Sequence, residues 1–165
     1  IIISLLIVIP FRMFVAQPFI VSGASMEPTF FTGDYLIIDE LSYRIRGPKR
    51  GEVIILRVQN NPVFYIKRVI GLPNEKIEIK GNKVYVFDKE NKNSYQIKEN
   101  YLSEYETYPD DYFELKNNEY LVLGDNRPKS FDSRQFGPIQ KKNITGKVFL
   151  RLWPLTSIGF AGQAN

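Results

Sequence analysis

Whatever chemistry this sequence performs must use Ser, Thr, Tyr, Lys, Asp, Glu or Arg, because it contains no histidine and no cysteine. That excludes thiol catalysis, Ser-His-Asp triads, HExxH zinc sites and disulfides together. A serine nucleophile would therefore need another proton acceptor. The stretch SGASMEPTF at 22–30 raises that question. Gly23 and Ala24 leave room beside Ser25 for a second backbone, and Pro28 fixes φ and biases Glu27 toward extended geometry. Backbone N–H groups in so rigid a turn suit an oxyanion hole. A solvated linker has the same composition, so this stretch alone leaves both readings open.

Lys67 is the candidate acceptor. It lies within VFYIKRVI (63–70), a β-type run in which alternation puts it on one side with Tyr65 and Val69 and sends Arg68 to the other. A lysine there is either the solvent-facing member of an edge strand or a desolvated amine. Burial disfavours the ammonium form and lowers a lysine pKa from about 10.4 toward neutrality, which makes a usable general base. Arg68, on the opposite face, needs a carboxylate. The third cluster is GDNRPKSFDSR at 124–134. It reads either as a polar loop with local ion pairs or as a site loop. In the second reading Ser130 orients the lysine amine, with Asp132 and Arg134 bracing the loop.

The elements that must position these residues are mainly strands. Tyr35–Ile38, 52–58, 63–70, 120–123 and 147–152 carry β patterns. Asn60-Asn61-Pro62 turns the second of these runs into the third. KIEIK (76–80) and KVYVF (83–87) alternate with period two around Gly81-Asn82, a two-residue hairpin signal. Residues 88–118 are polar and tyrosine-rich and read as an irregular, β-rich insertion, counted from about residue 82 when the hairpin's second strand is included. No helix-period segment follows residue 16. The apolar run IIISLLIVI opens residues 1–16, which read as the C-terminal part of a truncated transmembrane anchor helix, with Arg12 reaching the interface. A buried core helix is the other reading of this run. Residues 17–165 are then the catalytic β domain. The net charge of +4 is spread along the chain, compatible with an anionic membrane surface and too weak to point to nucleic acid.

In this order, SGASMEPT, GDYLI (33–37), KRVIGLP (67–73) and GDNRPKSFDSR resemble the bacterial type I signal peptidase (leader peptidase) family of membrane-bound Ser/Lys proteases. The resemblance implies an antiparallel β fold of the signal-peptidase and repressor-protease kind, with a small β-rich insertion and an apolar edge at the membrane. It implies Ser25 as nucleophile, Lys67 as general base and Ser130 as the hydroxyl that aims the amine. Asp132, Arg134 and Arg68 would form supporting ion pairs, and the Ser25 amide would supply one oxyanion donor. Met26 and Ile66 would line shallow pockets for small side chains, matching a preference for Ala-X-Ala before the cut. The implied partners are preprotein signal peptides and the lipid bilayer, with no cofactor, no metal and no nucleic acid. The implied location is the plasma membrane, single-pass or few-pass, with the catalytic domain on the extracytoplasmic face.

Two departures stand out. Some members carry a serine two positions before the nucleophile as a second oxyanion donor; here that position is Gly23, and Ser22 is one residue off. The GLP run is usually followed by Gly-Asp, but here by Asn74-Glu75, which can keep the turn because Asn tolerates left-handed geometry and Glu keeps the carboxylate. A soluble self-cleaving repressor-type protease and a non-enzymatic anchored β module are the competing readings. The apolar start and the lack of a basic recognition helix argue against the first.

Overall fold

The computed structural model describes residues 17–58, 61–87, 93–102 and 107–160. The expected anchor over 1–16 lies outside them, as do parts of the insertion. Among the described residues no helix is long and apolar enough to cross a membrane.

The described chain is built from β1 (Gln17–Ile20), β2 (Tyr35–Asp39), β3 (Val53–Arg57), β4 (Phe64–Gly71), β5 (Lys76–Lys80), β6 (Lys83–Phe87), β7 (Ser94–Gln96), β8 (Asp111–Glu114), β9 (Glu119–Leu123), β10 (Ile139–Gln140), β11 (Ile144–Trp153) and β12 (Gly159–Phe160). Among the described residues helix is confined to single turns, α1 (Ser42–Ile45) and α2 (Ser133–Phe136), and to short 3-10 turns. The larger sheet runs β1-β2-β11-β3-β4-β9-β10, with β12 on β11; the smaller runs β7-β6-β5-β8. Each described strand pairing is antiparallel.

The continuous apolar run in β3 follows from its central place. Val53 and Ile55 pack on one face with Met26, Phe30, Leu36, Ile38 and Ile66, while Ile54 and Leu56 pack on the other with Tyr43, Val69 and Val122. A strand buried on both faces has no polar alternation to show. Each such aliphatic side chain contributes about 1.5–3 kcal/mol by leaving water. β4 continues this frame and hands Ile70 to a third cluster, where Ile77, Ile79, Val84 and Val86 of the smaller sheet meet Leu121 and Leu123 of β9.

The β5–β6 hairpin closes as its sequence expects. Gly81 and Asn82 both have positive φ (55° and 66°), as a two-residue turn of this twist requires. The turn after β4 also holds with its unusual residues. Asn74 takes φ 65°, and Glu75 accepts the Leu72 amide at 2.8 Å and Arg50 at 2.6 Å. The region expected to be irregular is more ordered than its polarity suggested. β7 and β8 flank the hairpin, so the smaller sheet begins at Lys76, before the expected insertion. These short strands bury little, and so they carry little apolar alternation for the sequence to reveal.

Candidate active site

Ser25 sits in the loop joining β1 to β2, and that loop is pinned from both ends. The Val21 amide donates to Asp34 O, Gly33 N to Val21 O, and Phe30 N to Met26 O, all at 2.9 Å. Met26 and Phe30, both 0% exposed, anchor it in the core. Gly23 has φ 94°, open to glycine and strained for other residues. The Thr32 hydroxyl accepts from Gly23 N at 3.1 Å and donates to Gly23 O at 3.2 Å.

Lys67 reaches this loop from β4. Its Nζ shares a hydrogen bond with Ser25 Oγ at 2.9 Å and donates to Ile66 O at 2.9 Å. The side chain is 2% exposed. Burial lowers its pKa from 10.5 to about 8; Asp132 and Asp125 oppose that change, and Arg134 reinforces it. A large fraction is therefore neutral amine in mildly alkaline conditions, with a lone pair available for a hydroxyl proton.

The segment 124–134 closes the site. Asn126 N donates to Ser25 O at 3.0 Å, which ties the turn to the Ser25 loop. Gly124 has no room for a side chain, since a Cβ there would stand 2.2 Å from Ser130 Oγ and 2.5 Å from Ser25 O. Asp132 caps α2, accepts Gly124 N at 3.0 Å, and takes Arg134 Nε and Nη2 in a paired bond at 2.8 Å each. On the other face of β4, Arg68 grips Asp125 through Nε (2.8 Å) and Nη2 (2.5 Å), and Asp125 also accepts the Thr29 hydroxyl at 2.5 Å.

A cleft of about 220 Å³ opens in front of Ser25 and Lys67. Phe19–Ser22 form one wall, Val63–Ile66 the other, and Leu36 and Ile55 the floor. On the β9 side, pairing along β4 begins only at Arg68. The outer edge of Phe64–Lys67 therefore faces the cleft with no described strand beside it.

The structure brings Ser25, Lys67, Ser130, Asp132, Arg134 and Arg68 into one neighbourhood, with three differences from expectation. Ser130 is 5% exposed, yet its hydroxyl has no hydrogen-bond partner among the described residues; the Lys67 amine spends its bonds on Ser25 and Ile66 instead. Met26, expected to line a pocket, is fully buried in the core and absent from the cleft wall, while Ile66 lines it. The carboxylate that Arg68 needed is Asp125, to which sequence reasoning gave no role. The signal was present, because alternation sends Arg68 away from Lys67 and the GD pair at 124–125 supplies the only unassigned aspartate in the loop.

The Arg68–Asp125 pair is 1% and 0% exposed. Removing one charge strands the other in the interior, at a cost of about 3–5 kcal/mol. Asp125→Asn is therefore expected to lower unfolding free energy by that amount in urea titration, and a change under 1 kcal/mol would contradict the pairing.

Comparison with known proteins gives a consistent result. The family model described as "Signal peptidase, peptidase S26" matches residues 1–153. The chain is 35% identical over 162 residues to the probable signal peptidase I-2 of Synechocystis sp., covering 94% of this chain and 72% of that protein. It is 33% identical over 160 residues to the signal peptidase IB of Staphylococcus aureus, covering 89% and 83%. The crystal structure of a signal peptidase I from Enterococcus faecalis matches with a TM-score of 0.53 at 28% identity, covering 62% of this chain and 97% of that one.

Proposed function

Because this chain belongs to the signal peptidase family, peptidase S26, we propose that it is a membrane-anchored serine endopeptidase that removes signal peptides from exported preproteins, with Ser25 and Lys67 as its catalytic pair. The observation that carries this reading is the 2.9 Å contact between Ser25 Oγ and a lysine amine that is 2% exposed. No other side chain is needed to take the serine proton.

Ser25 Oγ attacks the scissile carbonyl as Lys67 accepts the hydroxyl proton. The resulting oxyanion is met by the Ser25 amide, where preorganised donors act most strongly. As the C–N bond breaks, the Lys67 ammonium returns the proton to the leaving amine. Water, deprotonated by the same amine, then hydrolyses the acyl-enzyme and regenerates Ser25. Ser130 is assigned to aim the amine during these transfers, in keeping with a buried hydroxyl that has no hydrogen-bond partner among the described residues. Asp132, Arg134 and the Arg68–Asp125 pair hold the loop around it.

The substrate segment binds as an extended strand against the open edge of Phe64–Lys67, main chain to main chain. A cleft this small, walled by Ile66, suits side chains such as alanine. The apolar rim supports the membrane assignment. Ile20, Tyr35 and Trp153 stand in register across β1, β2 and β11. Ile20 and Trp153 are exposed there (68% and 55%), as are Leu155 and Ile158 on the chain that follows. A run of exposed apolar side chains at one end of the sheet suits a lipid surface, and the catalytic domain would lie on the extracytoplasmic face of the plasma membrane. Bilayer attachment raises the local concentration of a substrate whose own apolar segment shares that bilayer.

Mass spectrometry of a preprotein incubated with the detergent-solubilised protein tests the proposal. Cleavage directly after Ala-X-Ala is expected. Cleavage at unrelated positions, or an intact preprotein, would count against the assignment.

A further inference from the structure

One buried charged cluster takes no part in the proposed reaction. Arg127 has 0% of its side chain exposed and pairs with Glu99 at 2.5 Å; Glu99 lies beyond β7 and is itself only 10% exposed. Arg127 Nη1 reaches Glu99 at 3.4 Å and also donates to the Thr107 hydroxyl. Its Nε donates to Gly124 O at 2.9 Å, and its own carbonyl accepts Arg134 Nη2 at 2.7 Å. Glu99 makes a second connection. It accepts the Tyr101 hydroxyl at 2.8 Å, and the Tyr101 ring covers the Arg68 guanidinium at 4.0 Å. Glu99, Tyr101, Thr107 and Arg127 are all absent from the cleft wall.

We propose that Glu99 is a positioning residue for the reaction at Ser25, latching the chain beyond β7 onto both the Arg127 turn and the Arg68–Asp125 pair. This inference rests on the Ser25–Lys67 reading. A lone guanidinium in the interior is costly, so Arg127 stays inside only while Glu99 compensates it. Without that carboxylate, Arg127 must turn toward water and pull on Gly124 O. The next residues of that turn include Asn126, whose amide holds Ser25 O. The second connection bears on the charges around the lysine. Tyr101 seals Arg68, and Arg68 holds Asp125, one of the charges that Lys67 feels.

The groups acting on Lys67 are Asp132, Asp125 and Arg134 from the site loop, with the Tyr65 ring 5.8 Å from Nζ on its own strand. Those facing Glu99 are Arg127 and Tyr101. Opening the latch admits water to this cluster. Since burial is the main cause of the lowered lysine pKa, hydration moves the acid limb of the rate profile to higher pH.

The test measures kcat, KM and the pH profile of peptide cleavage for Glu99→Gln and Tyr101→Phe. Glu99→Gln is expected to lower kcat by about ten- to a hundredfold, the scale of small misplacements at a reacting centre. KM should stay within about twofold, because neither residue lines the cleft, and the acid limb should shift upward. Tyr101→Phe keeps the ring and loses the bond to Glu99, so it should give a smaller change in the same direction. It decides the matter if Glu99→Gln does not fold. A lower melting temperature with unchanged kcat and an unchanged acid limb would overturn the proposal, since a purely structural contact behaves that way. Residual cleavage by Ser25→Ala would instead remove the reading beneath it, which keeps the two failures apart.

Discussion

Ser25→Ala is expected to reduce cleavage by about 10⁴–10⁶-fold, the scale seen when the nucleophile of a serine protease is removed, while the domain stays folded. The geometry separates the two effects. The nucleophile loop is held by Met26 and Phe30 in the core, by main-chain bonds from Val21, Phe30 and Gly33, and by Asn126 N on Ser25 O. None of these uses the serine hydroxyl, which is hydrogen-bonded to Lys67. Losing one hydrogen bond of this kind costs about 1 kcal/mol. Steady-state cleavage of a peptide spanning an Ala-X-Ala site, with circular dichroism on the same sample, checks both halves. Appreciable turnover by the folded variant would remove Ser25 from the mechanism.

Lys67→Met should be comparably inactive, because nucleophile and base act as one unit, yet it should not be less stable at neutral pH. The sign follows from linkage. Lys67 titrates at about 8 in the folded chain against an ordinary 10.5. Below pH 8 both folded and unfolded chains carry the proton, and the full penalty of a buried ammonium is present. Between about 8 and 10.5 the unfolded chain binds more protons, so stability rises with pH across that window. The total is on the order of 3 kcal/mol at about 1.36 kcal/mol per pKa unit. Methionine has no charge to bury, so the rise should vanish in the variant. Urea unfolding at several pH values measures it; an equal rise in wild type and Lys67→Met would show that other groups cause it.

The sequence made the frame of the site legible wherever one side-chain pattern had one physical cause. β3 and β4 announced themselves because a central strand is apolar on both faces. The Gly81-Asn82 turn did so because few residues accept positive φ. Lys67 stood out as a charge inside such a run, and the absence of histidine turned that oddity into a candidate base. What stayed hidden depended on contacts between distant segments. No local pattern marks Glu99 as the partner of Arg127, since an ion pair has no periodicity, and Asp125 is reached only by combining the face that alternation gives Arg68 with the one unassigned aspartate of the 124–134 loop. Met26 was misplaced for a related reason. A methionine beside a nucleophile reads equally well as pocket wall or as anchor, and only the packing with Phe30, Leu36 and Ile38 decides for anchor. The outer strands of the smaller sheet escaped notice because β7 is exposed throughout and β8 buries no residue fully.

The most direct test of the Ser25–Lys67 chemistry is the pH dependence of acyl-enzyme formation. A peptide ester ending in Ala-X-Ala is mixed with the protein, quenched at short times and digested, and the adduct is located and quantified by mass spectrometry. The adduct should sit on Ser25, with a formation rate that rises to a plateau through a midpoint near 8, the value burial gives Lys67. An adduct on another residue, or a Ser25 acylation rate with no such midpoint, would contradict a serine activated by a neutral buried lysine.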